Sequence, residues 1–166
     1  MKLDTKLAKA LNAQVNVELS ASHNYLAIAA YFDSQGLGGF AKWFRAQSSE
    51  ETEHGMRIYD YIQRRDDRVS LEAIAQPKSD FQSPSAAINA ALDMEKDVTQ
   101  RIHDLYSLSK DVEDYATQSM LNWFIDEQVE EEDSFRTILD KTEAAEGDRW
   151  NMLILDKELG KIATHH

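Results

Sequence analysis

The chain contains no cysteine, which excludes disulfides, thiolate zinc sites, iron–sulfur clusters and thiol catalysis. Proline occurs twice and glycine six times in 166 residues, so few positions interrupt a long helix. Basic residues are scarce: 18 Lys and Arg face 30 Asp and Glu, a formal charge of −12. That argues against a nucleic-acid partner, whose phosphates demand a basic surface, and it suits cations. Long hydrophobic runs are missing too. The longest purely apolar stretch, Tyr25 to Phe32, is far too short to span a bilayer. The opening MKLDTKLAK has no apolar segment of the signal-peptide kind. The expectation is a cytoplasmic protein with no membrane partner. Its length and 42% hydrophobic content suit a single domain over residues 1–166 with a sizeable core.

Helical periodicity dominates what is present, and no strand pattern competes with it. Asp4 or Thr5 can cap a first helix running to about Asp33. Ser34-Gln35-Gly36-Leu37-Gly38-Gly39 breaks it, since glycines suit turns. A second helix spans about Gly39 to Arg65. Residues Asp66 to Gln82 show no helical rhythm and include Pro77. Ser83-Pro84 is a start signal, a cap followed by proline in the first turn, for a third helix reaching about Lys110. Asp111 can start a fourth, ending near Ala145. Gly147-Asp148 then stops it and caps a short fifth helix, Arg149 to Leu159, with Gly160 as its stop. Helices of roughly 26 residues are about 40 Å long, and the rhythm-free stretch can extend to about 55 Å. It can therefore travel the length of a bundle and leave helices two and three parallel, while the short connections favour antiparallel neighbours. The reading is an all-α four-helix bundle with one long crossover and a short fifth C-terminal helix.

Carboxylates occupy slots where core leucines belong. Residues seven apart share one face of a helix. The series run Leu11, Glu18, Tyr25, Phe32; then Phe44, Glu51, Ile58 beside Gln47, His54, Tyr61; then Ile88, Glu95, Ile102; then Phe124, Glu131, Ile138 beside Leu121, Gln128, Phe135. Each of the four glutamates has an apolar residue one heptad before and one after. Glu18 is the only formally charged residue between Lys9 and Asp33. A buried carboxylate without a partner is very costly, and few lysines or arginines are placed to compensate. A metal ion is the cheapest compensating charge. Glu51 and His54, three apart, can grip one ion, and Gln128 and Glu131 share that spacing. Oxygen ligands with a single imidazole suit iron or manganese, with zinc as a substitute or inhibitor.

A second acidic region adjoins these positions: Asp126, Glu127, Glu130, Glu131, Glu132 and Asp133, with no lysine or arginine among residues 126–133. Like charges at helical spacing repel, so a cation beside Glu50, Glu127 and Glu130 competes with the bland reading of a solvated face. That bland reading is preferred for Glu132 and Asp133. Tyr25 reads as core, or as a hydrogen-bond partner one heptad after Glu18, and Trp123 as core at the same level. His23 and His103 read as ordinary partly buried histidines, and His165 and His166 as a frayed end. At this point a monooxygenase on the same bundle and a non-catalytic helical assembly protein both stay open.

The segments Glu50-Glu51-Thr52-Glu53-His54-Gly55 and Trp123 through Glu132, together with Glu18, Tyr25, Glu95 and the tail Leu155-Asp156-Lys157-Glu158-Leu159-Gly160, resemble non-heme bacterial ferritin. The resemblance extends over essentially the whole chain. It implies a ferritin-like bundle that assembles into a hollow homo-oligomer of twenty-four subunits. It implies a ferroxidase that oxidises Fe(II) to Fe(III) with dioxygen or hydrogen peroxide at a di-iron centre and stores ferric mineral, in iron storage and detoxification. A first iron position would fall on Glu18, Glu51 and His54. A second would fall on Glu51, Glu95 and Glu131 with Gln128 close by and Tyr25 alongside. A third, inner position would fall on Glu50, Glu127, Glu130 and Glu131. Heme-containing relatives place a methionine directly after the bridging glutamate and carry a second Glu-x-x-His. Here Thr52 follows Glu51, and the fourth helix offers Gln128-x-x-Glu131, so no heme is expected. The acidic channel positions of animal ferritins align approximately with Gln118 and Leu121, and no iron access route carries over.

Overall fold

A computed structural model describes residues 2–163; His165 and His166 lie outside them. Its element order is α1 (Thr5–Ser34), α2 (Gly38–Arg64), α3 (Pro84–Asp111), α4 (Tyr115–Ala145) and α5 (Arg149–Ala163), with no strand among the described residues. Each start has a chemical cause. The Asp4 carboxylate accepts from the Lys6 and Leu7 amides at 3.0 and 3.2 Å. Ser83 Oγ accepts from the Ala86 amide at 3.1 Å, with Pro84 in the first turn. Asp114 takes the Thr117 amide at 3.0 Å, and Asp148 takes those of Trp150 and Asn151. All of these satisfy amides that have no partner within their helix.

The start of α2 is the exception, since Leu37 offers no side-chain cap. The cap arrives from α5: Asp156 Oδ1 accepts from the Phe40 amide at 2.8 Å. Close approach makes this contact possible. A Cβ on Gly39 would lie 1.7 Å from the Asp156 carbonyl oxygen, and one on Gly160 would lie 3.2 Å from the Gly39 Cα. Leu155 and Leu159 are buried on the same face. Gly160 is therefore not a helix stop, as its sequence context predicts, but an interior residue of a helix that continues to Ala163. Its missing side chain serves packing.

The expected start of the fourth helix also shifts. Asp111 ends α3, Glu113 adopts a left-handed φ of 56°, and the cap is Asp114. The Arg65 guanidinium grips both Asp114 oxygens at 2.9 and 2.8 Å and donates to the Tyr61 hydroxyl at 2.6 Å. The Asp114 carboxyl is held below its ordinary range by Arg65, and Arg65 is raised in turn. This knot joins the end of α2 to the start of α4.

Residues 65–83 form the crossover, and α1 holds its first half by side-chain amides. Asn12 donates to the Arg68 carbonyl and accepts from the Ser70 amide, at 3.1 and 2.7 Å. Asn16 donates to the Ser70 carbonyl and accepts from the Glu72 amide, at 2.9 and 2.8 Å. Two asparagines one turn apart thus hold an extended strap against the helix, much as a neighbouring strand would. At the other end Phe81 packs edge-on against Tyr31. α2 runs antiparallel to α1, as the Ser22–Ser48 and Glu18–Gly55 contacts show, and the Tyr61–Thr117 and Ser85–Glu146 contacts set α2 and α3 each antiparallel to α4, hence parallel to each other.

The core is divided. One apolar cluster, at the α5 end, holds Phe32, Phe40, Phe44, Ile88 and Phe135. The other holds Leu7, Leu11, Ile58, Ile102 and Phe124. Between them lies a polar layer.

Candidate metal centre

All four heptad-slot glutamates reach that layer. Glu18, Glu51 and Glu95 are 0% exposed, Glu131 is 5% and His54 3%. Their carrier helices are fixed above and below by the two apolar clusters, so the side chains have nowhere else to point. One ligand atom from each of Glu18, Glu51 and His54 falls within 4.8 Å of the others; the same holds for Glu51, Glu95 and Glu131, and for His54, Glu127 and Glu131. The Glu18–Glu51–His54 and Glu51–Glu95–Glu131 trios are the groupings that the resemblance implies, and they share Glu51. Six buried side-chain atoms among the described residues have no hydrogen-bond partner, and five belong to this layer: Glu18 Oε2, both oxygens of Glu51, His54 Nδ1 and Glu131 Oε2. Unpartnered buried oxygens are costly, and converging ones are worse. Hard oxygen donors with one imidazole, converging on a common point, fit divalent iron, manganese or zinc.

The electrostatics say the same. Burial, then the charge of Glu95 and contact with Glu18, pushes the Glu51 carboxyl well above its usual range. Glu131 is pushed up to about 10 by burial and by Glu95, Glu50 and Glu127. Glu95 is raised by burial against the opposing hydrogen bond from Tyr25. In the metal-free protein the layer is thus partly protonated.

Supporting residues orient the ligands. Tyr25 is fully buried, and its hydroxyl donates to Glu95 Oε1 at 2.5 Å; burial and the charge of Glu95 raise its own pKa well above the phenolic value. Gln128 Nε2 approaches Glu95 Oε2 at 3.1 Å and Thr99 Oγ1 at 3.0 Å, so Gln128 reaches the centre through Glu95. Two partners escaped the sequence reading. Gln14 Nε2 donates to Glu18 Oε1 at 3.0 Å, and the Thr99 hydroxyl lies between the Glu95 carbonyl and Glu132 Oε2 at 3.0 and 2.6 Å. Both sit one helical turn from a heptad-slot glutamate, the spacing that could have revealed them. Glu132 is accordingly not a plain solvated acid. Trp123 is half-buried and meets the His54 ring edge-on at 5.3 Å, with the Arg57 guanidinium 3.8 Å over its face. His23 and His103 are exposed rather than partly buried, because each falls on the solvent side of its helix.

Beside the centre, between α2, α4 and α5, lies a cavity of about 510 Å³ lined by Gln47, Glu50, Glu127, Glu130 and Glu131, among others. The residues predicted for a third position therefore share one cavity wall. Only Glu127 and Glu131 join a close trio there, with His54 as the third member; Glu50 and Glu130 do not enter one. A larger cavity of about 600 Å³ between α1, α3 and the crossover contains none of these acids. Thr52 Oγ1 is bonded to Ser22 at 2.9 Å and to the Ser48 carbonyl. Leu121 is fully buried in the core.

A crossover bundle with four buried glutamates and one histidine at its waist defines a ferritin-like carboxylate protein. The comparisons agree. The family model described as Ferritin-like domain matches residues 8–145. The chain is 43% identical over 157 residues to the bacterial non-heme ferritin of Staphylococcus epidermidis, covering 95% of both chains. It is 41% identical over 158 residues to that of Staphylococcus aureus, again covering 95% of both. An open pore ferritin from the archaeon Archaeoglobus fulgidus superposes with a TM-score of 0.94 at 41% identity, covering 96% of this chain and 98% of that one. The chain belongs to the ferritin family, and its broad function is iron storage. No helix among the described residues is long and apolar enough to cross a membrane.

Proposed function

We propose that this chain is a ferroxidase that loads its own store: it oxidises Fe(II) at the polar layer and deposits ferric mineral inside a cytoplasmic shell of twenty-four copies. The observation that carries the reading is the pair of trios sharing Glu51, with unpartnered oxygens buried inside them. Iron is the substrate here. One ferrous ion is held by Glu18, Glu51 and His54, the other by Glu51, Glu95 and Glu131, with Glu51 bridging. Carboxylates neutralise the incoming charge, and protons leave Glu51 and Glu131 as the ions enter. Each ferrous ion gives up one electron. Dioxygen takes the pair with two protons to become hydrogen peroxide, or hydrogen peroxide takes it with two protons to become two waters.

Gln14, Tyr25 and Gln128 hold Glu18 and Glu95 in place by hydrogen bonds, so the oxygens need little rearrangement as the ions are oxidised. The acidic cavity beyond Glu131 receives the product, with Glu50, Glu127 and Glu130 as a further cation position on its wall. Thr52 offers no thioether, and the assembly is proposed to work without heme. A monooxygenase would need an organic-substrate pocket at the centre; the adjoining cavity places Glu50, Glu127, Glu130 and Glu131 on its wall beside Trp43, Ile138 and Leu159, and those four acids favour cations.

The test is rapid mixing of anaerobically prepared Fe(II) protein with oxygen, followed by absorbance, with particle size from light scattering. A fast phase saturating at about two iron per subunit, one for each trio, is expected. Glu51→Ala should abolish that phase. Its survival at the wild-type rate would refute the bridging role, and a particle of one or two subunits would refute the shell.

A further inference from the structure

His54 faces two ways. Its Nδ1 lies 3.4 Å from Glu51 Oε2, and its Nε2 lies 3.9 Å from Glu127 Oε1. Nδ1 thus faces Glu51 of the Glu18–Glu51–His54 trio, and Nε2 faces Glu127 of the His54–Glu127–Glu131 trio. The three trios form a closed triangle in which any two share one residue, Glu51, His54 or Glu131. The sharing is not equivalent. A carboxylate has two oxygens and can hold an ion with each at once. A neutral imidazole has one lone pair and one N–H, so it holds one ion at a time.

The Nε2 side has the makings of a site rather than of a surface acid cluster. Glu131 is 5% exposed and carries an oxygen without a hydrogen-bond partner; His54 is 3% exposed. Glu127 and Glu131 also line the cavity of about 510 Å³, which gives an ion a way in.

We infer that His54 serves two metal positions in alternation, so that a divalent cation held by His54 Nε2, Glu127 and Glu131 withdraws the imidazole from the position formed with Glu18 and Glu51. The inference rests on the reading of that first trio as a metal position. When an ion settles on Nε2, the ring proton resides on Nδ1, and the first position keeps only its two carboxylates. Zinc is the natural occupant to test, because it accepts imidazole and carboxylate together in four-coordinate sites. Zinc on the cavity side would thus weaken the first position without entering it. An ion travelling inward would use the same ring on both sides of its step.

The experiment is zinc-edge anomalous diffraction from crystals of the full chain equilibrated with graded concentrations of Zn²⁺. A peak about 2.0–2.1 Å from Nε2 is expected, shared with Glu127 and Glu131. The occupancies on the Nδ1 and Nε2 sides should sum to no more than one per subunit. Glu127→Ala should lose the Nε2 peak and gain occupancy on the Nδ1 side at the same zinc concentration. Full occupancy on both sides at once would overturn the inference, and so would zinc on Glu127 and Glu131 without the imidazole. Zinc on the Glu18–Glu51 side but never on Nε2 would overturn it while leaving the centre intact. Zinc in none of the trios would overturn both. The wild-type occupancies decide the matter even if the variant folds poorly.

Discussion

Tyr25 on α1 donates its hydroxyl to Glu95 on α3 at 2.5 Å, across 70 residues of sequence and at the level where the apolar core is interrupted. Both residues are fully buried. The bond stabilises the Glu95 carboxylate from the α1 side, while Gln128 on α4 holds its other oxygen.

Tyr25→Phe keeps the ring and its contacts with Phe44 and Phe135 but removes the donor. A buried carboxylate oxygen is then left unsatisfied, a loss of about 1–3 kcal/mol. Chemical denaturation of the metal-free protein should show it. An unchanged midpoint would mean that Glu95 finds another donor.

Cation binding should release protons. Glu131, pushed up to about 10, holds a proton at pH 7 that an incoming ion displaces, and the upward shift of Glu51 works in the same direction. Calorimetric titration of Zn²⁺ in buffers of different ionisation enthalpy should give at least about one proton released per subunit. Affinity should rise with pH. A buffer-independent enthalpy would mean that the layer is already ionised.

The same shifts set a stability trend. A carboxyl whose folded pKa is raised contributes stability that is complete below its unfolded value, 4.5, and is lost progressively as pH rises towards about 10. Asp114 acts oppositely, its contribution disappearing only when acid protonates it through its lowered folded pKa. Thermal melts of metal-free protein should therefore decline from about pH 5 to pH 9. Saturating zinc should flatten that decline. A metal-free protein that grows more stable over this range would contradict the protonated layer.

Gly39→Ala should dislodge α5. The new methyl would lie 1.7 Å from a main-chain oxygen, and backbone cannot yield as a flexible side chain can. Overpacking of this kind typically costs about 1–3 kcal/mol. Limited proteolysis should cut near residues 146–149 faster than in wild type, while Gly38→Ala, where a Cβ meets nothing within 4 Å, serves as the control. Equal cutting in both would show that α5 accommodates the change.

Asn12→Ala and Asn16→Ala should loosen the crossover without disturbing the bundle. Each removes two hydrogen bonds to the strap, about 0.5–1.5 kcal/mol apiece. Hydrogen exchange at the Ser70 amide should accelerate in the first variant and at the Glu72 amide in the second. Retained protection at either would show that the strap is held by other contacts.

Much of the centre could be read in advance because its information is periodic. Glu18, Glu51, Glu95 and Glu131 stand in heptads whose other members are apolar, and a helix can only carry such a residue inward. The bundle followed from the lengths of four rhythmic segments and one that was not. What escaped depends on partners that spacing along the chain does not reveal. Asp111, Glu113 and Asp114 look alike as helix starts, and the choice is made by Arg65, 49 residues away. Gly160 looks like a stop because its contact with Gly39 is tertiary. The histidine of the third trio belongs to α2, whereas the acidic run that drew attention lies on α4.

The cap that α5 supplies to α2 has a consequence for how the molecule is made. The Phe40 amide waits for a carboxylate 116 residues further along the chain. During synthesis the second helix emerges with its first turn open, and it stays so while the third, fourth and most of the fifth helices follow. Closure of that turn waits until α5 has been made, and a late element completes an early one.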